Sequence, residues 1–291
     1  MTVCKLCRSC RVKSKYKLGF LMVGQCEDCH FTFVTSDVGD HELLQMYSSK
    51  DAVAYLATRE NRQSVKFKKR LSEIGKLYKG QVVGLHLCDV GCGVGDFCYL
   101  ASRNGINAVG IDISEPAIKL ARERYGEYAE YYNVNIDDMV QSKNRVFDVV
   151  TLWDVIEHCK DPHKIIAYCK TLVKKDGFIC INTPNCDSLY DKLADVAYRL
   201  NLQVSRKMLK QRYSTAHLQL WTQSTLKKLL RYYDLEVVIS KRIRELTMVP
   251  SGYIKAMGAN NSAIRLVQCI DGIIEKIWPV RNKVLVYAQA K

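Results

Sequence analysis

Between residues 84 and 240 the apolar positions come in short runs that alternate with stretches of helical spacing. Gly84–Val90 is an apolar run ending in a glycine-rich turn, and Phe97–Arg103 continues it as a helix. Ala108–Ile113 predicts a second strand, Glu115–Tyr125 a helix, Glu130–Val134 a third strand and Phe147–Trp153 a fourth. Val149 and Val150 are typical of a parallel strand buried on both faces. Helix His163–Leu172 leads through Lys174–Gly177 to a fifth strand, Phe178–Asn182. Helix Thr222–Tyr233 precedes a sixth strand, Leu235–Ser240, and Lys283–Ala288 reads as a seventh. Strands alternating with helices predict an α/β, doubly wound, seven-stranded and mostly parallel sheet with right-handed crossovers. Ligands of such a sheet sit at the carboxyl ends of its strands.

The first 36 residues follow another pattern. Cys4-Lys5-Leu6-Cys7 and Cys26-Glu27-Asp28-Cys29 are two Cys-x-x-Cys knuckles. Each knuckle presents two thiolates, and two pairs complete a tetrahedron around a structural zinc ion. Tyr16–Val23 reads as a strand and Phe31–Val34 as its partner. So small a module cannot build a core, so the metal supplies its folding energy. Cys10 offers a second choice of first pair, with Cys7, and His30 is an alternative ligand.

Residues 37–80 are polar and helix-prone, contain Tyr47, Tyr55, Arg59 and Arg62, and run into a basic helix, Ser64–Leu77. They predict a helical linker that closes over a ligand or packs on the domain at 81–291. The chain has 291 residues, and 48% are apolar, enough for a real core. Thirteen cysteines without an apolar signal core at Met1–Lys5 argue for metal ligands and buried thiols in a cytoplasmic protein rather than for disulfides. No apolar run approaches the ~20 residues of a membrane span. A net charge of +14 points to an anionic partner (nucleic acid, an acidic membrane surface or an acidic substrate) or to a solvated basic surface.

The turn after the first strand is Asp89-Val90-Gly91-Cys92-Gly93-Val94-Gly95. Glycines there allow a tight turn and close approach of a ligand to the backbone. Asp112 ends the second strand, where a carboxylate accepts both ribose hydroxyls of an adenosine ligand. Two features favour S-adenosylmethionine (SAM) over NAD. The loop is Gly-x-Gly-x-Gly rather than Gly-x-Gly-x-x-Gly, and Asp89 adds a charge that suits a cationic amino acid group and not a pyrophosphate.

Residues 87–183 resemble the class I SAM-dependent methyltransferases of the ubiquinone and sugar methyltransferase type. The likeness rests on Leu87–Phe97, Val109–Ala117, Phe147–Pro162 and Gly177–Asn185, above all on Asp154-Val155-Ile156-Glu157-His158 followed by Asp161-Pro162. A leading zinc ribbon also resembles an arrangement of this group. The resemblance implies a Rossmann-like methyltransferase sheet. It implies that the loop of Gly91, Cys92, Gly93 and Gly95 wraps the methionine portion, next to Asp89, which positions the amino acid end directly or through the loop, and that Asp112 holds the ribose. It further implies that Ile113, Asn135 and Ile136 flank the adenine, Asn135 replacing the usual acid, and that Trp153 lines the pocket.

His158 lies on the acceptor side and suits a general base. His217, ahead of Leu218-Gln219-Leu220-Trp221, resembles a family histidine. Related sugar C-methyltransferases put an acid and a tyrosine before it; Ala216 and Ser214 stand there here, which favours oxygen methylation. Insertions at about 187–216 and 250–279 carry apolar residues at helical spacing (Leu189, Tyr190, Leu193, Val196, Ala197 and Leu200; Ile264, Val267, Ile270, Ile274, Ile277 and Trp278), and Arg199, Arg206, Lys207, Lys210 and Arg212 make the first one basic. They read as a lid, as a face for peripheral contact with an anionic membrane, or as ordinary packing. The leading expectation is methyl transfer to a hydroxyl of a sugar, glycan, lipid-linked or natural-product acceptor. The alternatives are an RNA methyltransferase gripping phosphates with its basic surface and a non-catalytic SAM-binding or partner-docking protein. Trp153-Asp154-Val155 departs from the Asn/Asp-Pro-Pro-aromatic signature of exocyclic amine methylation.

Overall fold

The structure, a computed structural model, describes residues 2–49, 53–54, 60–141, 145–202, 209, 217–245 and 281–291. Seven strands form the main sheet: β4 (His86–Val90), β5 (Asn107–Asp112), β6 (Glu130–Asn133), β7 (Phe147–Trp153), β8 (Val173–Pro184), β10 (Leu235–Ile243) and β11 (Lys283–Ala290). Their order is β10-β11-β8-β7-β4-β5-β6. β4 to β8 pair in parallel, and β11 runs antiparallel to both its neighbours. This is the doubly wound, mostly parallel sheet expected from the alternation of elements.

Strand alternation divides the core between the two faces. Cys88, Val150, Leu152, Ile179 and Ile181 pack on one face with Ile165, Ile166 and Cys169 of α6 (Pro162–Leu172) and with Leu226, Leu229 and Leu230 of α8 (Gln223–Arg231). Leu87, Ala108, Val149, Phe178 and Cys180 pack on the other. There they meet Phe67, Leu71 and Ile74 of α2 (Glu60–Leu77), Phe97 and Ala101 of α3 (Asp96–Ser102), and Ile118 and Ala121 of α4 (Glu115–Tyr125). Local chemistry starts the helices where the strands end. Asp161 caps α6, accepting from the amides of His163 and Lys164, with Pro162 at the first helical position. Thr222 and Thr225 form a reciprocal capping box on α8.

Three expected boundaries are corrected. Tyr16–Val23 is not one strand. It is the closing half of a hairpin between β1 (Val12–Leu18) and β2 (Leu21–Cys26), turned at Gly19-Phe20. Gly19 has φ +79°, which glycine reaches without the Cβ penalty of other residues. The fifth strand begins at Val173 and not at Phe178. Val173 pairs with Phe147, the register shifts, and regular pairing resumes at Val149 with Phe178. Asp176, with φ +64°, carries the chain through that irregularity. The sixth strand continues to Ile243.

The N-terminal strands β1, β2 and β3 (Thr32–Val34) form a second sheet, and β9 (Gln219–Leu220) from the far end of the chain adds its fourth strand. The seal is apolar as well as hydrogen-bonded: the Phe31 ring lies 4.6 Å from that of buried Trp221. Residues of β1, β2 and β3 also share a cluster with Leu43 of α1 (Asp40–Ser48) and Ala194 of α7 (Leu189–Arg199). Leu193 and Val196 on α7, and Leu200 just after it, are exposed. Tyr55, Arg59, Arg206, Lys207, Lys210, Arg212 and the whole insertion at 250–279 lie outside the described residues. No helix among the described residues is long and apolar enough to cross a membrane.

A buried ion-pair network fastens α2 to the sheet. Arg70, 2% exposed, reaches Glu73 at 2.6 Å and Glu245 at 3.3 Å. Glu73 also accepts from Lys241 of β10 and from the Tyr287 hydroxyl of β11. Arg70→Met is expected to strand carboxylates in the core and cost about 3 kcal/mol of stability. Urea unfolding checks this, and an unchanged midpoint would sink the assignment.

Candidate active site

The glycine loop leaves β4 and turns into α3 at the carboxyl edge of the sheet. Gly91, Gly93 and Gly95 all have positive φ, at 71°, 54° and 85°. At two of them space is also forbidden. A Cβ on Gly91 would meet Val155 Cγ2 at 2.6 Å, and one on Gly95 would meet the Tyr131 ring at 2.7 Å. The loop is tied to β5 by the amides of Gly91 and Cys92, both donating to the Ile111 carbonyl. The Cys92 side chain is buried over Gly110, so this residue presents backbone, not thiol, to the loop's open side.

Two carboxylates flank the loop. Asp89 is buried and accepts from the Thr151 hydroxyl at 2.6 Å. Burial pushes its carboxyl up to about 7, despite the Thr151 hydrogen bond, and the Asp112 charge adds to the rise. Asp112 ends β5. Its Oδ2 accepts from the Gly93 amide at 2.9 Å and its Oδ1 from the Ser114 amide at 2.8 Å. Its pKa too is raised by burial, against these backbone hydrogen bonds. Each oxygen keeps a second lone pair for a hydroxyl donor.

Ile113, just beyond, is 44% exposed. Asn135 is exposed, and its Oδ1 accepts from the Asp138 amide, capping a short helix α5 (Ile136–Gln141) that pattern reading missed. Ile136 is half-buried at its start. Trp153 is nearly buried, with its ring edge-on to Phe97 at 5.2 Å and its indole Nε1 unpartnered.

The residues suited to SAM therefore lie along one rim: a backbone cradle without Cβ atoms, a carboxylate at a strand end and an exposed aliphatic side chain beside it. Two carboxylates destabilised by burial suit a cationic ligand.

After Trp153 the chain turns sharply. Asp154 adopts φ +60°, while its amide still bonds the Asn182 carbonyl at 2.8 Å. A 3-10 turn, Ile156–His158, follows. Here the two candidate histidines, 59 positions apart in sequence numbers, come together: the rings of His158 and His217 lie 5.0 Å apart. A carboxylate oxygen of Glu157 and a nitrogen of each ring lie within 4.8 Å of one another. Glu157 is buried; its Oε2 accepts from the Thr183 hydroxyl at 2.8 Å and its Oε1 has no hydrogen bond. Burial raises its pKa, and the neighbouring His158 opposes that. The Tyr47 ring of α1 stands edge-on to His158 at 5.4 Å, and the Tyr47 carbonyl accepts from Ser114 beyond Asp112. Tyr47, from the helix-prone stretch 37–80, thus joins the two halves of the site.

Cys4, Cys7, Cys26 and Cys29 converge, with all four sulfurs within 4.8 Å of one another. Cys4–Cys29 and Cys7–Cys26 are each 3.5 Å apart. A tetrahedral site with Zn–S bonds of 2.3 Å needs sulfurs about 3.8 Å apart. The knuckles share one backbone pattern. Arg8 and His30, each following a second cysteine, have φ +62° and +58°. Each donates its amide to the carbonyl of the first cysteine at 3.0 Å. Cys10 and His30 are exposed and outside the cluster.

Comparison with known proteins agrees with this geometry. The methyltransferase-domain family model matches residues 47–240. The ubiquinone biosynthesis O-methyltransferase of Acinetobacter baylyi is 32% identical over 112 residues, 37% of this chain and 47% of the relative. That of Pasteurella multocida is 33% identical over 128 residues, 40% and 52% of the two chains. The alignments thus span about half the length of these relatives. Magnesium protoporphyrin IX methyltransferase from Synechocystis with bound SAH superposes with TM-score 0.58 at 13% identity, covering 87% of this chain and 100% of that one. The plantazolicin methyltransferase BpumL, in complex with a triazolic desmethylPZN analogue and SAH, gives TM-score 0.54 at 19% identity, covering 86% of this chain and 94% of that one. At such identities the likeness shows the fold. Family match, fold and motifs agree, and the chain belongs to the methyltransferase-domain family of class I SAM-dependent methyltransferases.

Proposed function

We propose that this protein transfers the methyl group of SAM to a hydroxyl of a small sugar, glycan, lipid-linked or natural-product acceptor. The observation that carries the reading is the meeting of His158, His217 and Glu157 at the carboxyl edge that also holds the glycine loop. SAM, when bound, supplies a sulfonium-activated methyl, so the chain's task is to align the acceptor and take its proton. In this reading the backbone of Gly91–Gly95 holds the methionine portion, Asp112 the ribose, and Ile113, Asn135 and Ile136 the adenine. Asp89, buried behind the loop, positions the amino acid end through the loop. His158 takes the hydroxyl proton, buried Glu157 stabilises the resulting imidazolium, and His217 and Trp153 shape the acceptor pocket. We assign residues 1–36 to a zinc ribbon held by Cys4, Cys7, Cys26 and Cys29, residues 37–80 to a helical cap and residues 81–291 to the catalytic domain.

Labelled SAM incubated with the protein and a fractionated extract should place label in small-molecule, lipid or glycan fractions. On that acceptor, His158→Ala is expected to lower kcat by roughly a hundredfold or more, and His217→Ala by less, with SAM affinity unchanged in both. Label confined to RNA, or no turnover despite SAM binding, would overturn the proposal.

The cations of SAM favour ionised Asp89, whose carboxyl sits at about 7 without ligand. Binding below that pH must release a proton. Affinity for SAM is therefore expected to rise roughly tenfold from pH 6 to pH 7.5 and then level off. Asp89→Asn should flatten that rise in calorimetric titrations; an unchanged slope in the variant would show that Asp89 is not its source.

The purified protein is expected to hold one zinc per chain by elemental analysis. Stripping it with a chelator should lower the melting temperature and slow methyl transfer more than it weakens SAM binding, because the ribbon abuts the His217 segment. Full stability and activity without zinc would refute the assignment.

A further inference from the structure

The carboxyl edge holds another hollow, beyond β8. This cavity, of about 240 Å³, is walled by Asn185, Asp187, Lys192, Arg242 and Arg281 among others. Its cations come from three separate places: Lys192 from α7, Arg242 from β10 and Arg281 from the approach to β11. One carboxylate, Asp187, answers them. It lies 3.0 Å from Lys192 and 3.2 Å from Arg242. Arg281 has no ion pair among the described residues. Three cations around one carboxylate leave the cavity positively charged.

The cavity wall is rigid where it matters. Asn185 is fully buried, donates from Nδ2 to the Arg281 carbonyl at 2.8 Å and accepts the Asp187 amide on Oδ1 at 3.1 Å. A single side chain thus fixes the backbone of both Arg281 and Asp187. Asp187 and its two partners are partly exposed, so these pairs are weak and open to exchange. An incoming oxyanion can share Lys192 and Arg242 with Asp187 and take Arg281 for itself. Guanidinium groups suit that role, because their donors match two oxygens of one carboxylate or phosphate.

The position relates the cavity to the chemistry. Asn185 follows Thr183 by two residues, and the Thr183 hydroxyl is the one that donates to Glu157. Two residues of extended chain span roughly 7 Å. Lys283, two residues after Arg281, lies on Asp154 at the end of β7. The cavity therefore adjoins the strand ends that hold Glu157 and Asp154, on either side of the turn that carries His158.

We propose that the cavity is the subsite for an oxyanion, a carboxylate or a phosphate, carried by the methyl acceptor, so that the acceptor is an acidic small molecule. This rests on the methyltransferase reading above.

The test uses the full-length, SAH-loaded protein titrated with benzoate, phenyl phosphate and the neutral isostere benzamide, followed by calorimetry. At least one anion is expected to bind, benzamide is not, and the better anion identifies the charged group. Arg281→Gln and Arg242→Gln should each weaken that anion about tenfold or more, with SAH affinity unchanged. Absence of anion binding, equal binding of benzamide, or equal binding by both variants would overturn the proposal. SAH affinity, measured on the same samples, separates the outcomes: its absence in the wild type defeats the methyltransferase reading, whereas normal SAH binding without anion binding defeats only the subsite.

Discussion

Asp154 accepts from two lysine ammoniums, Lys66 of α2 and Lys283 of β11, at the point where β7 ends. All three groups are largely withdrawn from water, and a charge so placed persists only when paired. The lysines hold the Asp154 carboxyl well below the usual carboxylate range. Because the partners come from three elements, pairing also fixes geometry. Glu245 extends the constraint, lying 3.4 Å from Lys66 and accepting from the Asn182 amide group at 2.8 Å. Glu73 extends it to Lys241 and Tyr287. The left-handed turn at Asp154, from which Glu157 and His158 follow, is thus held from both sides.

The same turn is held from the N-terminal module. The Val34 amide donates to the Leu218 carbonyl, and the Leu218 amide donates to the Glu157 carbonyl. His217 sits at the end of that ladder, two residues before the strand that joins the ribbon sheet. Farther out, His163 bridges the Leu6 carbonyl at 2.8 Å and the Tyr233 hydroxyl at 3.1 Å. Tyr16 donates to Asp195 at 2.6 Å. A module too small for a core of its own therefore borrows the domain's core, through Phe31 and Trp221, and in return places an imidazole.

How far this was legible in the sequence follows from the range of the forces involved. The four inner parallel strands, β4, β5, β7 and β8, were legible because burial on both faces imposes apolar runs, as in Val149-Val150. The glycine loop was legible because positive φ and forbidden Cβ space leave little choice of residue. The hairpin at Gly19-Phe20 was not, since Leu18 and Leu21 keep the apolar run continuous across a two-residue turn. Nor was the irregularity after Val173, which pairing with Phe147 creates and no local pattern signals. His158 and His217 were each read as candidates, but their meeting depends on β9, a two-residue strand too short to leave a periodic trace. Nothing in the sequence separates Lys66, Arg70 and Lys283 from the other basic residues, because burial of a cation is decided by partners far along the chain.

The carboxyl edge divides by sign. Over β4 and β5 stand Asp89 and Asp112, two carboxylates whose ionised forms burial disfavours. A pyrophosphate would add to that cost, while the sulfonium and ammonium groups of SAM relieve it. Over β8, β10 and β11 the unmatched charge is positive, at Lys192, Arg242 and Arg281. Between the two fields lie β7 and the imidazoles. Neighbouring strands are about 4.8 Å apart, so the fields are separated by a few strand spacings, close enough for both to act on molecules of metabolite size. A cationic donor and an anionic acceptor would each be drawn to its own side and meet at the centre. The polarity follows from strand order: Asp89 and Asp112 stand on β4 and β5, Arg242 on β10 and Arg281 before β11, on opposite sides of β7.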